Sequence, residues 1–299
     1  MQEKKYWIWL SLIEGLGSIK KRKLLEQYKS PEIIYNLKKE ELLKIDGIGE
    51  NLANKILNTE KRKSVDKHIE YMIKNKIDII NIYDKEYPQN LKQIYDYPVS
   101  LYIKGNKEVL NKKGIAIIGC REFSKYGKNA AKYFSYNLAK EGINIISGLA
   151  KGIDSFAHIG AIAKEFEKNK TNNNGKTIAV MGNGLDTIYP KENMELANKI
   201  IETGGAIITE YPLGTKPEKN NFPARNRIVS GISKGVLVIE AKEKSGTLIT
   251  VDFALEQGKN VYVVPGNIDS ENSKGTNELI KQGAKLITCL QDILEDYNF

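Results

Sequence analysis

The stretch GIAIIGCREFSKYGKNAAKYFSYNLAKEGINIISG, residues 114–148, decides the fold. It opens on a short apolar run, GIAIIG, and turns through polar residues into YGKNAAKYFSYNLAKEG, which has helical periodicity. It closes on a second apolar run, NIISG. Near-continuous apolar strands separated by amphipathic helices predict a parallel sheet covered on both faces. The same rhythm continues outward in TIAVMG (177–182), AIITEY (206–211), GVLVIE (235–240) and NVYVVPG (260–266). The helical segment NMELANKIIETGG (193–205) lies between two of them. The reading is therefore an α/β chain with a doubly wound, mostly parallel sheet. The polar, low-complexity segment KEFEKNKTNNNGKT (164–177) breaks the rhythm and reads as a surface loop.

Upstream the pattern changes twice. DIINIYDKEYP (78–88) and YPVSLYIKGN (97–106) read as short strands and turns. Residues 1 to about 70 read as helices, with apolar spacing in KLLEQY, PEIIYNL and EELLKI and breaks at Gly15, Ser30 and Gly47. The expected division is a helical domain over 1–72 and a sheet domain over 73–299, with its core at about 112–290. GLGSIKKRKLLEQY (15–28) and GIGENLANKILN (47–58) each place a G-x-G turn before a helix. Such a turn aims backbone N–H groups at a phosphate, as in helix-hairpin-helix modules, and serves equally as a plain αα-corner.

The 299 residues carry a formal charge of +9, spread as +5 over residues 1–110 and +4 over the remainder. With no basic tail, a polyanion would have to meet a shaped surface. Only five of the 46 basic residues are arginine. Three of these, Arg121, Arg225 and Arg227, fall in two loops marked by glycine or proline. Arginine offers a planar fork that grips phosphate bidentately and stacks on bases, so arginines kept in such loops read as ligand-facing. Salt bridges or helix caps are the structural alternative.

Ligands of doubly wound sheets bind beyond the carboxyl ends of the strands. Those ends collect Arg121 after the first strand, then Ser147, Gly148 and Lys151 in SGLAKGID after the second. NNFPARNR follows the fourth and SGT the fifth, supplying Asn221, Phe222, Arg225, Asn226, Arg227, Ser245, Gly246 and Thr247. Small residues let a ligand approach the backbone, and hydroxyl and N–H donors with arginines favour phosphate. Phe222, Phe123 and Tyr126 are candidate base-stacking faces.

Several function classes drop out. GCREFSKYG and GNGLDT do not satisfy G-x-G-x-x-G, and no P-loop occurs. Cys120 and Cys289 make neither a disulfide framework nor a metal-ligand spacing. His68 and His158 stand alone, and Asp154, Asp186, Glu210, Glu240 and Asp252 form no acid–base set. Asp154 and Asp252 read as helix caps or salt-bridge partners. No cofactor is implied. The apolar stretch in MQEKKYWIWLSLIEGLG is too short and too interrupted for a membrane span, so a cytoplasmic chain is expected.

Across about 80–290, in unbroken order, the runs GCREFSKYG, IISGLAKGIDSFAH, IAVMGNGLDTIYP, TEYPLGTKP, NFPARNRIVSGIS, VLVIEAKEKSGTLIT, ALEQGKNVYVVPGN and KGTNELIKQGAKLIT resemble the DNA-processing protein A (DprA, or Smf) family. The resemblance implies an extended Rossmann-like fold preceded by a small all-α, SAM-like domain. It implies a non-enzymatic homodimer that binds single-stranded DNA and helps load the RecA recombinase, protecting incoming DNA during natural transformation. Carried over by position, its motif residues fall on Arg121, Lys151, Asn221, Phe222, Pro223, Arg225, Asn226 and Arg227, and on Ser245, Gly246 and Thr247, and all of these but Pro223 are expected to contact DNA. Cys120 departs from the small hydroxyl residue usual at its place. No sequence matching the winged-helix domain of many relatives follows, so that domain is not expected here. The competing class is a nucleotide-processing enzyme of the lysine-decarboxylase-like group. SGTLITVDFALEQG shares SGT with that group but lacks its preceding PGG and its glutamate.

Overall fold

The computed structural model describes residues 4–163 and 174–297, so most of the polar segment 164–177 lies outside the described residues. The alternating apolar runs become strands β3 (Gly114–Ile118), β4 (Asn144–Ser147), β5 (Thr177–Val180), β6 (Ala206–Thr209), β7 (Gly235–Val238) and β8 (Asn260–Val263). They are preceded by β1 (Ile77–Asn81) and β2 (Ser100–Gly105) and followed by a two-residue β9 (Lys285–Leu286). Among the described residues these form one nine-stranded sheet, ordered β1-β2-β6-β5-β4-β3-β7-β8-β9. From β6 to β9 all neighbours are parallel, while β1 pairs with β2, and β2 with β6, antiparallel. The chain winds from β3 out to β6 and then returns to place β7 on the other side of β3. The switch point of this doubly wound sheet therefore lies between β3 and β7.

The N-terminal region folds as α1 (Lys4–Ser11), α2 (Ser18–Tyr28), α3 (Pro31–Asn36), α4 (Lys39–Leu42), α5 (Glu50–Ile56) and α6 (Thr59–Lys74). Trp7, Trp9, Leu24, Ile56 and Met72 are buried in the same cluster as Ile79 of β1, Tyr102 of β2 and Ile207 of β6. The buried Ser11 and Tyr102 hydroxyls share a hydrogen bond of 2.7 Å across this seam. Helices and sheet thus meet in one continuous apolar core. Both G-x-G turns open helices, at α2 and α5, with Gly15 and Gly47 at φ of 81° and 79°, where a side chain would strain the backbone. They face each other: Lys55 lies toward Gly15 and Lys20 toward Gly47.

Helices α7 (Lys125–Lys140), α8 (Ile153–Ala163), α9 (Met194–Glu202), α10 (Asn221–Gly231), α11 (Gly246–Glu256), α12 (Lys274–Lys281) and α13 (Gln291–Tyr297) follow. The period of two along β3 divides its side chains between two faces. Ile115 and Ile117 enter the cluster of Ala131, Phe134 and Leu138 on α7 and Ala157 and Ala161 on α8. Ala116 and Ile118 enter the cluster of Ile228 and Val229 on α10 and Val251 and Ala254 on α11. Both faces of β3 are dry, which is why its sequence does not alternate with polar residues.

Candidate nucleic-acid interface

At the switch point the loops after β3, β4 and β7, together with α10, enclose an open cavity of about 820 Å³. Arg121, Gly148, Phe222, Pro223, Arg225, Asn226, Ser245, Gly246 and Thr247 line it, so four widely separated segments converge there. Lys219, Lys242, Lys244, Tyr189, Asp154 and Cys120 also line it.

Arg225 forms the floor. It is 5% exposed, and its Nη1 donates to the Gly148 carbonyl at 2.6 Å and to the Val180 carbonyl. A Cβ on Gly148 would overlap the guanidinium, so this glycine makes room for Arg225 rather than for a ligand. Burial pushes Arg225 down to about 10, opposed by Asp154 and reinforced by Arg121, which leaves it fully charged at neutral pH. Burial also raises the Asp154 carboxyl, against the pull of Arg225 and of backbone donors. Asp154 Oδ2 accepts from the Gly148 and Ala150 N–H groups at 3.1 and 3.4 Å, fixing the turn that carries them.

Above the floor, Arg121 is exposed and its guanidinium sits 5.8 Å from the centroid of the Phe222 ring. The half-buried Phe222 also meets Tyr189, with centroids 5.6 Å apart and planes at 31°, and rests against Gly182. Gly182 leaves the space this ring occupies. The opposite wall is the start of α11, where Ser245 Oγ accepts from the Thr247 N–H at 3.1 Å. Nothing lies within 4 Å of where a Cβ on Gly246 would be, so the helix start is open to approach. Lys242 pairs with Glu122 at 2.5 Å. Arg121, Lys219, Arg225 and Lys244 have no ion-pair partner among the described residues.

Four expected contacts lie elsewhere. Arg227, on the far side of α10, is an interior ion-pair centre: Nε donates to Asp96 at 2.8 Å and Nη2 to Glu210 at 2.7 Å, so its fork is engaged by carboxylates rather than turned to the cavity. Ser147 is fully buried and donates to the Ile117 carbonyl at 2.7 Å, bridging two strands. Lys151 is exposed outside the cavity lining and pairs with Glu192 at 2.6 Å. Asn221 starts α10 and donates to the Lys216 carbonyl at 3.4 Å. Phe123 and Tyr126 also stay out of the lining: Phe123 packs edge-on against Phe156, and the Tyr126 hydroxyl donates to the Pro265 carbonyl.

Lys242 and Lys244 were findable from their place in AKEKSGT beside the helix start, and Lys219 from its place before NNFPARNR. Tyr189 carried no local signal. Glu240, just past the end of β7, accepts from Ser124 Oγ at 2.5 Å and Ser124 N at 3.0 Å, holding the N-cap of α7. His158 is buried with Nδ1 2.6 Å from Thr177 Oγ1, and burial pushes it down to about 3. Cys120 is buried at the cavity edge, and burial raises its thiol.

The sequence model of the family DNA recombination-mediator protein A matches residues 78–298. Protein Smf of Escherichia coli is 42% identical over 238 residues, covering 80% of this chain and 61% of that protein. DNA processing protein DprA of Streptococcus pneumoniae is 44% identical over 219 residues, covering 73% of this chain and 74% of that protein. The X-ray structure of DNA processing protein A from Streptococcus pneumoniae superimposes with a TM-score of 0.81 at 37% identity, covering 99% of this chain and 98% of that one. A structure showing how DNA processing protein A from Helicobacter pylori binds single-stranded DNA superimposes with a TM-score of 0.63 at 30% identity, covering 74% and 95%.

Proposed function

Because this chain belongs to the DNA recombination-mediator protein A (DprA/Smf) family, we propose that it binds single-stranded DNA in the switch-point cavity. On this reading it protects incoming single strands and helps load RecA during natural transformation. It works as a cytoplasmic homodimer with no catalytic step or cofactor of its own. Among the described residues no helix is long and apolar enough to cross a membrane.

The observation that carries the reading is the convergence of five cationic side chains, Arg121, Lys219, Arg225, Lys242 and Lys244, with the Phe222 and Tyr189 rings around one open cavity. Phosphates and base faces look alike along a strand, so these groups bind without sequence preference. Arg121 and Lys244 meet phosphates from solvent, Arg225 supplies a buried fixed charge beneath them, and the open start of α11 offers N–H donors. Phe222 presents its ring to a base.

Fluorescence anisotropy with an oligo-dT strand tests this. Tight binding is expected, weaker by about 1–3 kcal/mol in Phe222→Ala and largely retained in Phe222→Tyr. RecA nucleation on the protein-coated strand is the second readout, and failure of the wild type to stimulate it would remove the loading role. No binding at low salt would remove the DNA reading altogether.

A further inference from the structure

The two arginines of NFPARNR leave α10 about 200° apart, at 100° per residue, so they face opposite sides of the helix. Arg225 points to the cavity and grips the ends of β4 and β5 through the Gly148 and Val180 carbonyls. Arg227 points away, and its side chain is 7% exposed. Nε donates to Asp96 in the segment between β1 and β2, and Nη2 donates to Glu210 at the end of β6. Nη2 also reaches Ser18 Oγ, the first residue of α2, at 3.3 Å. The Arg227 carbonyl accepts from Gln257 Nε2 at 3.0 Å, at the end of α11. Through its side chain Arg227 thus ties the helix bearing Phe222 to the segment between β1 and β2, to the end of β6 and to the start of α2. Nη1 is buried without a partner, so no edge of the fork is turned to solvent. Burial works against this charge, but Glu210 and Asp96 overcome it and hold it above its ordinary value.

We infer that Arg227 is a positioning residue: its forked bridge to Glu210 and Asp96 fixes α10, and with it Phe222, Asn226 and Arg225, in register over the cavity. The inference rests on the cavity being the DNA site. A phosphate would have to displace the part-exposed Asp96 and the largely buried Glu210 from a guanidinium whose side chain is itself 7% exposed, and breaking the inner pair leaves an uncompensated buried charge. Lysine cannot take over the role, because a point charge on a flexible stem cannot span both acids in fixed directions.

The test uses Glu210→Gln and Arg227→Lys in the full chain. Oligo-dT affinity is read by anisotropy over a salt series, amide hydrogen exchange is followed at residues 221–226, and thermal melting confirms that the variants fold. Both variants are expected to bind about tenfold more weakly, a loss of the size that packed networks transmit, with the salt slope unchanged and with faster exchange at 221–226. The sign in Glu210→Gln is decisive. If Arg227 served phosphate directly, removing a neighbouring carboxylate would tighten binding, and Arg227→Lys would bind nearly as well as the wild type. Either result, or weaker binding without faster exchange, overturns the inference. If the wild type fails to bind while exchange still rises in both variants, the proposed DNA site falls, and the helix-fixing role of Arg227 stands on the exchange result.

Discussion

Two places in the molecule present a glycine-marked helix start without a covering side chain: the pair of G-x-G turns before α2 and α5, and the Ser245–Gly246 start of α11. By local sequence they are similar phosphate candidates. In three dimensions they differ. Around the first pair the near neighbours are Lys20 and Lys55, each supplied by the other hairpin and each facing a glycine across the corner. Around α11 the cavity gathers Arg121 from the loop after β3 and Arg225 and Phe222 from α10, with Arg225 fixed by buried carbonyls. Glycine and free N–H groups are cheap to come by in a chain. Convergence of distant cations and rings on a shared space is what singles out one start as the proposed nucleic-acid interface.

The comparison breaks most readily at Arg225. Arg225→Ala removes a buried charge and strands the Gly148 and Val180 carbonyls, and it should weaken oligo-dT binding by about 2–3 kcal/mol with a lower melting temperature. Anisotropy beside calorimetry checks both, and undiminished affinity in a folded variant would move the site away from the cavity.

Acid probes the stability of the sheet domain through His158, which lies outside the cavity lining. His158 is held at about 3 when folded against 6.5 when unfolded, so the unfolded chain takes up the proton first as pH falls. Stability is intact above pH 6.5 and declines from there toward pH 3, by up to about 1.4 kcal/mol per unit. Urea midpoints at pH 7 and 5 should show this loss, and His158→Gln should flatten it. An equally steep loss in the variant would assign it to other groups.

The smallest effect belongs to the paired turns. Gly17→Ala and Gly49→Ala meet no atom within 4 Å and need no left-handed backbone, so oligo-dT affinity should shift by less than about 0.5 kcal/mol. A tenfold loss in either would make the N-terminal helices a second DNA surface and erase the contrast.

Much of this arrangement was legible because its signals are local. The six apolar runs from GIAIIG to NVYVVPG are strands β3 to β8, since a strand buried on both faces cannot hide its composition. β9 was not expected: two residues at a sheet edge, Lys285 half-buried and Leu286 exposed, leave no pattern to read. At the site, Arg121 was readable from its loop position, whereas Arg225, Arg227 and Phe222, read as loop residues, lie on helix α10. Arg227 stands two residues from Arg225 in the same motif and points the other way. Its partners Asp96, Glu210 and Ser18 come from three other segments, and only the folded chain shows which face of α10 meets them. Gly148 was read as space for a ligand, when the space is filled by a side chain 77 residues away.

The salt dependence of oligo-dT binding, wild type beside Arg121→Ala, tests the central claim most directly. Four cations at the cavity without an ion-pair partner among the described residues, each meeting one phosphate, predict a slope of log K against log salt of roughly −3, falling in magnitude by about 0.7 when the exposed Arg121 is removed. A slope near zero, or one that Arg121→Ala leaves unchanged, would contradict a phosphate-gripping site at the strand ends.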